Sequence, residues 1–320
     1  MTAITQRLRD WGLLVACNLI WASQFVMVKL VQQQMGPLFA VTFPMAVSTV
    51  FLWLLMMKTR RAPVARKDIL GFVLLGVLGQ CVAQLFITWG VRLSLASNAA
   101  LISLALPVST AVMAHFLLGE RMSFIRWLSF GIAIAGLVFC SGVDWREVNL
   151  TSASLVMGNL MIFASVNGSA FYNTYSKRLL ARYGPLEVLL YSYYALMALL
   201  IPITAAAEPG ALWSFSKFTA TTWLGLAVLA LFQYFLSMVI FLIVLARIDA
   251  TQAALSNYLI PFFGVLIAAA VLGERLAPSA WAGGAMALAS TFLITVADRQ
   301  SARKEAGPAL AQPLRAPDSG

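Results

Sequence analysis

Asn18, Trp21, Phe25 and Lys29 follow one another at intervals of three or four residues, so on an α-helix they share one face. At roughly 100° per residue they fall within about 80° of arc, while Val15, Leu19, Val26 and Leu30 lie largely on other faces. Such a face presents an amide, an indole N–H, an aromatic ring and an ammonium group, which together can hydrogen-bond, stack on and attract a small polar solute. Other polar residues stand in otherwise apolar stretches: Gln80 and Gln84 with Thr88; Asn98 and Ser103; Asn159, Asn173 and Lys177, which share a helical face with Phe163 and Ala170; Gln233 and Tyr234 with Ser237; and Gln252 with Ser256 and Asn257. Polar groups facing lipid are costly, so these faces are expected to line a bundle interior or a wet cavity. The plainer reading is that the amides bond neighbouring helices. Pro107 and Pro261 each remove a backbone hydrogen bond inside an apolar stretch, which makes each either a hinge or a static kink. Lys29 either draws a substrate carboxylate to the mouth of a pathway or extends to the membrane interface as an anchor.

The chemistry that is missing narrows the choice. All twelve Asp and Glu residues fall at the ends of apolar stretches, in loops or in the C-terminal tail, so no carboxylate is placed to take up and release a proton in transit. An intramembrane enzyme would need a nucleophile with its base, an acidic pair or a metal cluster, and none of these spacings occurs. A channel would need rings of pore-lining residues, usually from an oligomer. No nucleotide-binding loop of the Walker type is present, and neither a metal nor a cofactor is expected. Cys17, Cys81 and Cys140 lie within apolar segments and are expected as small core residues rather than disulfide partners. His115, beside Phe116 and Leu117, is expected as a packed core histidine.

The elements that must position these groups are transmembrane helices. Hydrophobic residues make up 61% of the chain and charged residues 11%, against roughly 45–50% and about 25% in a soluble domain. Ten apolar segments have the length needed to cross ~30 Å of hydrocarbon: residues 11–31, 36–57, 69–91, 95–118, 124–142, 153–176, 185–206, 219–245, 250–273 and 278–297. The partner is therefore a lipid bilayer. The net charge of +10 is not a nucleic-acid signal, because its distribution follows the membrane. With the N-terminus in the cytoplasm, 17 of the 22 Lys and Arg residues fall on the cytoplasmic side and four on the other, with Lys29 set aside. The positive-inside rule then places both termini in the cytoplasm.

The chain also contains one pattern twice. Ser97 to Met122 matches Thr251 to Leu276 at an offset of 154, with Pro107 on Pro261 and Gly119-Glu120-Arg121 on Gly273-Glu274-Arg275. Lys29 followed by Gly36-Pro37 matches Lys177 followed by Gly184-Pro185 at an offset of 148. This is an internal duplication. Five segments per half make the second copy enter from the opposite face, so the expected fold is all-α, with ten helices in two inverted five-helix repeats. The expected divisions are a cytoplasmic N-terminus at 1–10, repeats at 11–142 and 153–297, a connecting loop at 143–152 and a disordered cytoplasmic tail at 298–320.

Trp21-Ala22-Ser23 followed by Lys29, together with the doubled pattern of small residues, a mid-helix proline and Gly-Glu-Arg, resembles the EamA family of the drug/metabolite transporter superfamily over essentially residues 11–297. The resemblance implies a secondary transporter of the bacterial inner membrane that exports small neutral or zwitterionic metabolites such as amino acids. A carrier of drugs or nucleotide sugars is the alternative. It also implies that segments one, three, four, six, eight and nine surround a central cavity, with five and ten packed away from it. Ser169 departs from the pattern, standing where a tryptophan opposite Trp21 is expected. Nothing in these residues separates a monomer from a homodimer.

Overall fold

Long apolar runs interrupted by Gly-Pro steps and basic clusters produce long helices that end at those interruptions. The computed structural model describes residues 3–57, 64–93, 105–120, 153–210 and 215–260, with shorter runs between 102 and 135 and isolated positions beyond 260. Among the described residues the regular structure is helical: α1 spans Ala3–Gln32, α2 Pro37–Met56, α4 Ala105–Leu118, α5 Ala153–Leu180 and α6 Pro185–Ala207. Two helices change pitch on the way. α3 runs through Arg66–Leu74, a π-helical stretch Leu75–Cys81 and Val82–Leu93, and α7 through Ala220–Ala227, a π-helical stretch Val228–Leu236 and Ser237–Leu245. α8 spans Ala250–Leu255 and tightens into a 3-10 turn at Ser256–Tyr258.

The stretches Thr5–Gln32, Pro37–Met56, Arg66–Gly90, Pro185–Ala207 and Ala220–Leu245 are each long and apolar enough to cross a bilayer. α5, at 28 residues, has the length as well and carries Asn159, Asn167 and Asn173 within its apolar run. Phe51, Leu54, Leu55, Leu160 and Leu224 are exposed on the outer surface. A protein in water would bury such residues, so this surface belongs against lipid. The all-α membrane fold therefore holds. α1 begins at Ala3, earlier than the span expected from residue 11, and its Asp10 pairs with Arg247, just past the end of α7, at 2.8 Å. The fifth and tenth expected segments lie largely outside the described residues. The loop 143–152 and the tail 298–320 lie wholly outside them.

Several contacts recur at the offsets of the sequence duplication. Gly36 and Gly184 take the same extended conformation, with ψ of 162 and 157, and each is followed by a proline that opens α2 or α6. Proline is suited to that first position because its missing N–H has no helical partner there. Cys17 Sγ donates to the Ser237 carbonyl at 3.3 Å, and Ser165 Oγ to the Ala83 carbonyl at 2.6 Å. These donors are 148 positions apart and these acceptors 154. Likewise Thr222 Oγ1 donates to Gln34 Oε1, while at the corresponding places Arg182 donates to Asp68 at 2.8 Å. The two π-helical stretches also fall on one another at 154.

Small residues bring α3, α5 and α6 into backbone contact. A Cβ on Gly76 would lie 2.5 Å from the Ser192 carbonyl oxygen, and one on Gly168 would lie 2.9 Å from the Ala83 nitrogen. Close approach of this kind is how helices gain packing energy where lipid removes the hydrophobic drive to associate. Tyr193, Leu196 and Leu200 of α6 and Phe241 of α7 are fully buried within this core.

Candidate functional site

Successive turns of α1 hydrogen-bond to α8, to α7, and then to α3 and α7 together. Asn18 is fully buried, and its Nδ2 donates to the Leu14 carbonyl at 2.7 Å and to Ser256 Oγ at 3.0 Å, at the end of α8. The Leu14 carbonyl can only accept, so the side-chain oxygen is the uncommitted atom of Asn18, and it has no partner among the described residues. One turn on, Trp21 Nε1 donates to Ser237 Oγ of α7 at 2.8 Å, and its ring lies 5.2 Å from Phe241. A further turn on, Gln24 Nε2 donates to Gln84 Oε1 of α3 at 3.2 Å, while its own oxygen accepts from Gln233 Nε2 of α7 at 2.8 Å. The three amides form a chain joining α3, α1 and α7. Ser237 Oγ returns to the Gln233 carbonyl and closes the chain onto the Trp21 contact.

Gln80 and Gln233, both buried, sit in the two π-helical stretches. An inserted π-turn breaks the regular 3.6-residue phase and aims side chains that a continuous α-helix would place elsewhere, which is why such turns gather at functional sites. Tyr234, adjoining Gln233, is buried, and its carbonyl accepts from Tyr193 Oη at 2.7 Å. Ser103 and Gln252 are half-buried on helical backbone. Asn173 and Asn257 are buried, the Asn173 carbonyl accepting from Ser176 Oγ at 3.3 Å. Pro107 is buried in α4. Asn98 and Pro261 lie outside the described residues, as do the side chains of Phe25 and Lys29. Asn18, Trp21, Gln84, Gln233 and Ser256 are thus brought together around α1.

Gln24 was not among the expected residues. It lies about 120° from Asn18 around the helix, off the stripe drawn through Trp21 and Phe25. Its only sign in the sequence is an amide within an apolar run. Phe163 is a correction, because it is 51% exposed rather than inward-facing. Counting roughly 100° per residue it sits about 80° from Asn173, at the edge of the arc where the outward face of α5 begins.

Among the described carboxylates, Asp10 and Asp68 pair with Arg247 and Arg182, while Glu120 and Glu208 serve helix ends. Gly119 closes α4 at φ +71, with its N–H donating to the His115 carbonyl at 3.1 Å, a turn that favours glycine because it has no Cβ. Glu120 then reaches across to α8, accepting from the Ala250 and Thr251 backbone N–H groups at 2.8 and 3.2 Å and from Thr251 Oγ1 at 2.8 Å. The same turn corrects the reading of His115, which is exposed with Nδ1 3.0 Å from the Glu120 carbonyl rather than packed in the core. Glu208 accepts from the Leu38 and Phe39 N–H groups at the start of α2. Lys177, 148 positions after Lys29, donates to the Leu245 and Ile248 carbonyls at the end of α7. Cys17 and Cys81 are buried and unbridged, and Cys140 lies outside the described residues.

Comparison with known proteins adds the family context. The model of the EamA-like transporter family matches residues 11–142 and again 156–296. The chain is 30% identical over 235 residues to the "Probable terminal-alkyne amino-acid exporter" of Streptantibioticus cattleyicolor, a match that spans 73% of this chain and 75% of that protein. It is 24% identical to the "Uncharacterized inner membrane transporter YedA" of Escherichia coli (strain K12), over 91% of this chain and 92% of that one. A solved crystal structure at 17% identity superposes with a TM-score of 0.75 over 91% of this chain and 98% of that chain, a likeness of fold.

Proposed function

The chain belongs to the EamA-like transporter family, and on that premise we propose that it is a secondary transporter exporting a small neutral or zwitterionic metabolite, such as an amino acid, by alternating access between two inverted five-helix repeats. The observation that carries this reading is the polar chain Gln84–Gln24–Gln233, which joins helices of both sequence halves at the centre of an apolar bundle. An amide network placed there offers solute contacts near the midplane, where carriers built from repeats hold their cargo. The amino-acid class draws support from the Streptantibioticus cattleyicolor relative.

In this reading Asn18, Trp21, Phe25, Lys29, Gln80, Gln84, Asn98, Ser103, Asn173, Gln233, Tyr234, Gln252, Ser256 and Asn257 contribute to the pathway wall, and Pro107 and Pro261 act as its hinges. The direct test is counterflow in vesicles containing the purified protein. Saturable exchange of a labelled solute is expected, and a linear, non-saturating flux would mean a channel instead. A panel spanning amino acids, cationic drugs and nucleotide sugars separates the substrate classes.

The proposed orientation puts both termini in the cytoplasm of a bacterial cell, with the protein in the inner membrane. Reporter fusions after Arg61 and after Arg303 should both read cytoplasmic, and one after Arg146 should read the outer side, as the imbalance of basic residues requires. A periplasmic C-terminus would overturn the ten-helix inverted arrangement.

A further inference from the structure

Two kinds of side chain exchange places between the halves at the centre of the bundle. Gln24 on α1 and Tyr172 on α5 are 148 positions apart, and Gln80 on α3 and Tyr234 on α7 are 154 apart. These are the offsets of the duplication. In space Gln24 lies beside Tyr234, and Tyr172 lies beside Gln80 and Ser192. Each side of the centre therefore has one amide facing one phenol, with the two residue types swapped between helices.

Neighbouring contacts hold both pairs in place. Gln233, next to Tyr234, donates to Gln24 at 2.8 Å. Gly79, next to Gln80, admits the tyrosine, because a Cβ there would meet Tyr172 Cβ at 3.1 Å. Tyr172, Tyr234, Gln80 and Gln233 are 3%, 1%, 2% and 4% exposed. Each phenol interacts with its amide neighbour, Tyr234 with Gln24 and Tyr172 with Gln80, but among the described residues neither hydroxyl closes a well-formed hydrogen bond, and the side-chain oxygens of Gln80 and Gln233 make none either. Buried polar atoms are rarely left so, and these four on α3, α5 and α7 call for a ligand that completes them.

The chemistry of those atoms indicates what the ligand brings. Amide oxygens only accept, and a phenol oxygen accepts as well as donates. The set is therefore rich in acceptors, and a matching solute supplies N–H donors. A primary ammonium has three. The named groups are all neutral, so they orient such a cation without the ionic grip of a carboxylate, which would slow release. We propose that Gln24 with Tyr234, and Tyr172 with Gln80, are two equivalent half-sites of the solute pathway, and that the acceptor oxygens around them select a solute bearing a primary ammonium group. This rests on the reading of the chain as a carrier and names the group it recognises. Because each half-site carries the same two functional groups, the solute meets the same contacts whichever side the pathway opens to.

The test uses the full-length protein in proteoliposomes, with counterflow of the common amino acids, then of the 2-hydroxy acid and N-acetyl analogue of each amino acid that exchanges. Exchange of an amino acid with its two analogues slower by about tenfold or more is expected, because only the parent carries the ammonium donors. Equal rates, or saturable exchange confined to solutes without N–H donors, would overturn the ammonium assignment and leave the carrier reading standing. No saturable exchange by any amino acid, drug or nucleotide sugar would overturn the carrier reading itself.

The half-sites are tested by exchanging the pair. Gln24→Tyr and Tyr234→Gln should each lower exchange by about tenfold, and the double variant Q24Y/Y234Q should recover to within about threefold of the parent, since it recreates the Tyr172–Gln80 arrangement. A folded double variant no better than the singles would overturn the pairing. Gln80→Leu, close in volume and lacking the acceptor, provides a second reading that does not depend on the double variant folding. It should raise the half-saturating amino-acid concentration by about tenfold while sparing the analogues, and an equal effect on all three solutes would reduce Gln80 to packing.

Discussion

Replacing Glu120 with alanine should destabilise the protein by about 2–3 kcal/mol, the scale of losing hydrogen bonds to a charged acceptor, and should cut counterflow below about a tenth. The N-cap residue of α8, Asp249, makes no side-chain capping bond. Glu120 takes that role from the end of α4, accepting from Ala250, Thr251 and the Thr251 hydroxyl. Without it, donors at a helix start lose their acceptor in a poorly hydrated place, and the favourable interaction of an anion with the helix N-terminus goes with them. α8 also carries Ser256, the partner of Asn18, so loosening its start loosens the contact with α1. Glu120→Gln keeps one acceptor and should fall between the two. Glu187→Gln is the control. Its side chain meets the exposed N–H of Gly184 at 2.8 Å, and the substitution keeps an oxygen for that bond, so a change within about 0.5 kcal/mol is expected. Thermal unfolding in detergent reads the first effect and vesicle counterflow the second. Equal midpoints for Glu120→Ala and Glu187→Gln would show that the contact between α4 and α8 contributes nothing to stability.

Single cysteines on α1 should divide sharply by face. The background replaces Cys81 and Cys140 with alanine and Cys17 with serine, the residue that makes the corresponding bond at position 165. Trp21→Cys should react with a small water-soluble thiol reagent, and an amino acid that supports counterflow should protect it. Leu19→Cys, at a position 48% exposed on the lipid side, should react more slowly by about tenfold or more, because a thiol without access to water does not ionise. Asn18→Cys reports on motion. Asn18 is fully buried against Ser256, so a cysteine there is reached only when α1 and α8 separate. Conditions that favour one side of the membrane should change its rate far more than the rate at 21. Uniform labelling at 18, 19 and 21 would remove the case for a pathway along α1.

The residues themselves settle a good deal. An apolar fraction of 61% leaves too little polar surface for a globule in water, so the bilayer follows from composition alone. The duplication is explicit in Pro107 and Pro261 and in the two Gly-Glu-Arg triplets, and the family match falls on the same two stretches. Helix ends were also legible, because Gly36-Pro37 and Gly184-Pro185 combine an extended residue with one that suits a first helical position. On α1 the three-to-four spacing picked out Asn18 and Trp21, since periodicity on one helix says which side chains share a face.

Periodicity does not say what that face meets, and here the tertiary structure decided. Glu120 reads locally as a charge beside a turn, yet its partners are Ala250 and Thr251, from the other half of the chain. Gln24 lies off the polar stripe and becomes central only because α3 and α7 both present glutamines to it. The π-helical stretches Leu75–Cys81 and Val228–Leu236 contain no proline and share no residue that marks a change of pitch, the glycines at 76 and 79 having no counterpart in the second, but they determine where Gln80 and Gln233 point. His115 and Phe163 failed as inward residues for the same reason. A side chain near a helix end or the edge of an arc is buried or exposed by what packs beside it. In a membrane, where lipid solvates apolar faces as well as protein does, the choice of neighbour falls to close packing of small residues and to hydrogen bonds between helices, and both are properties of pairs.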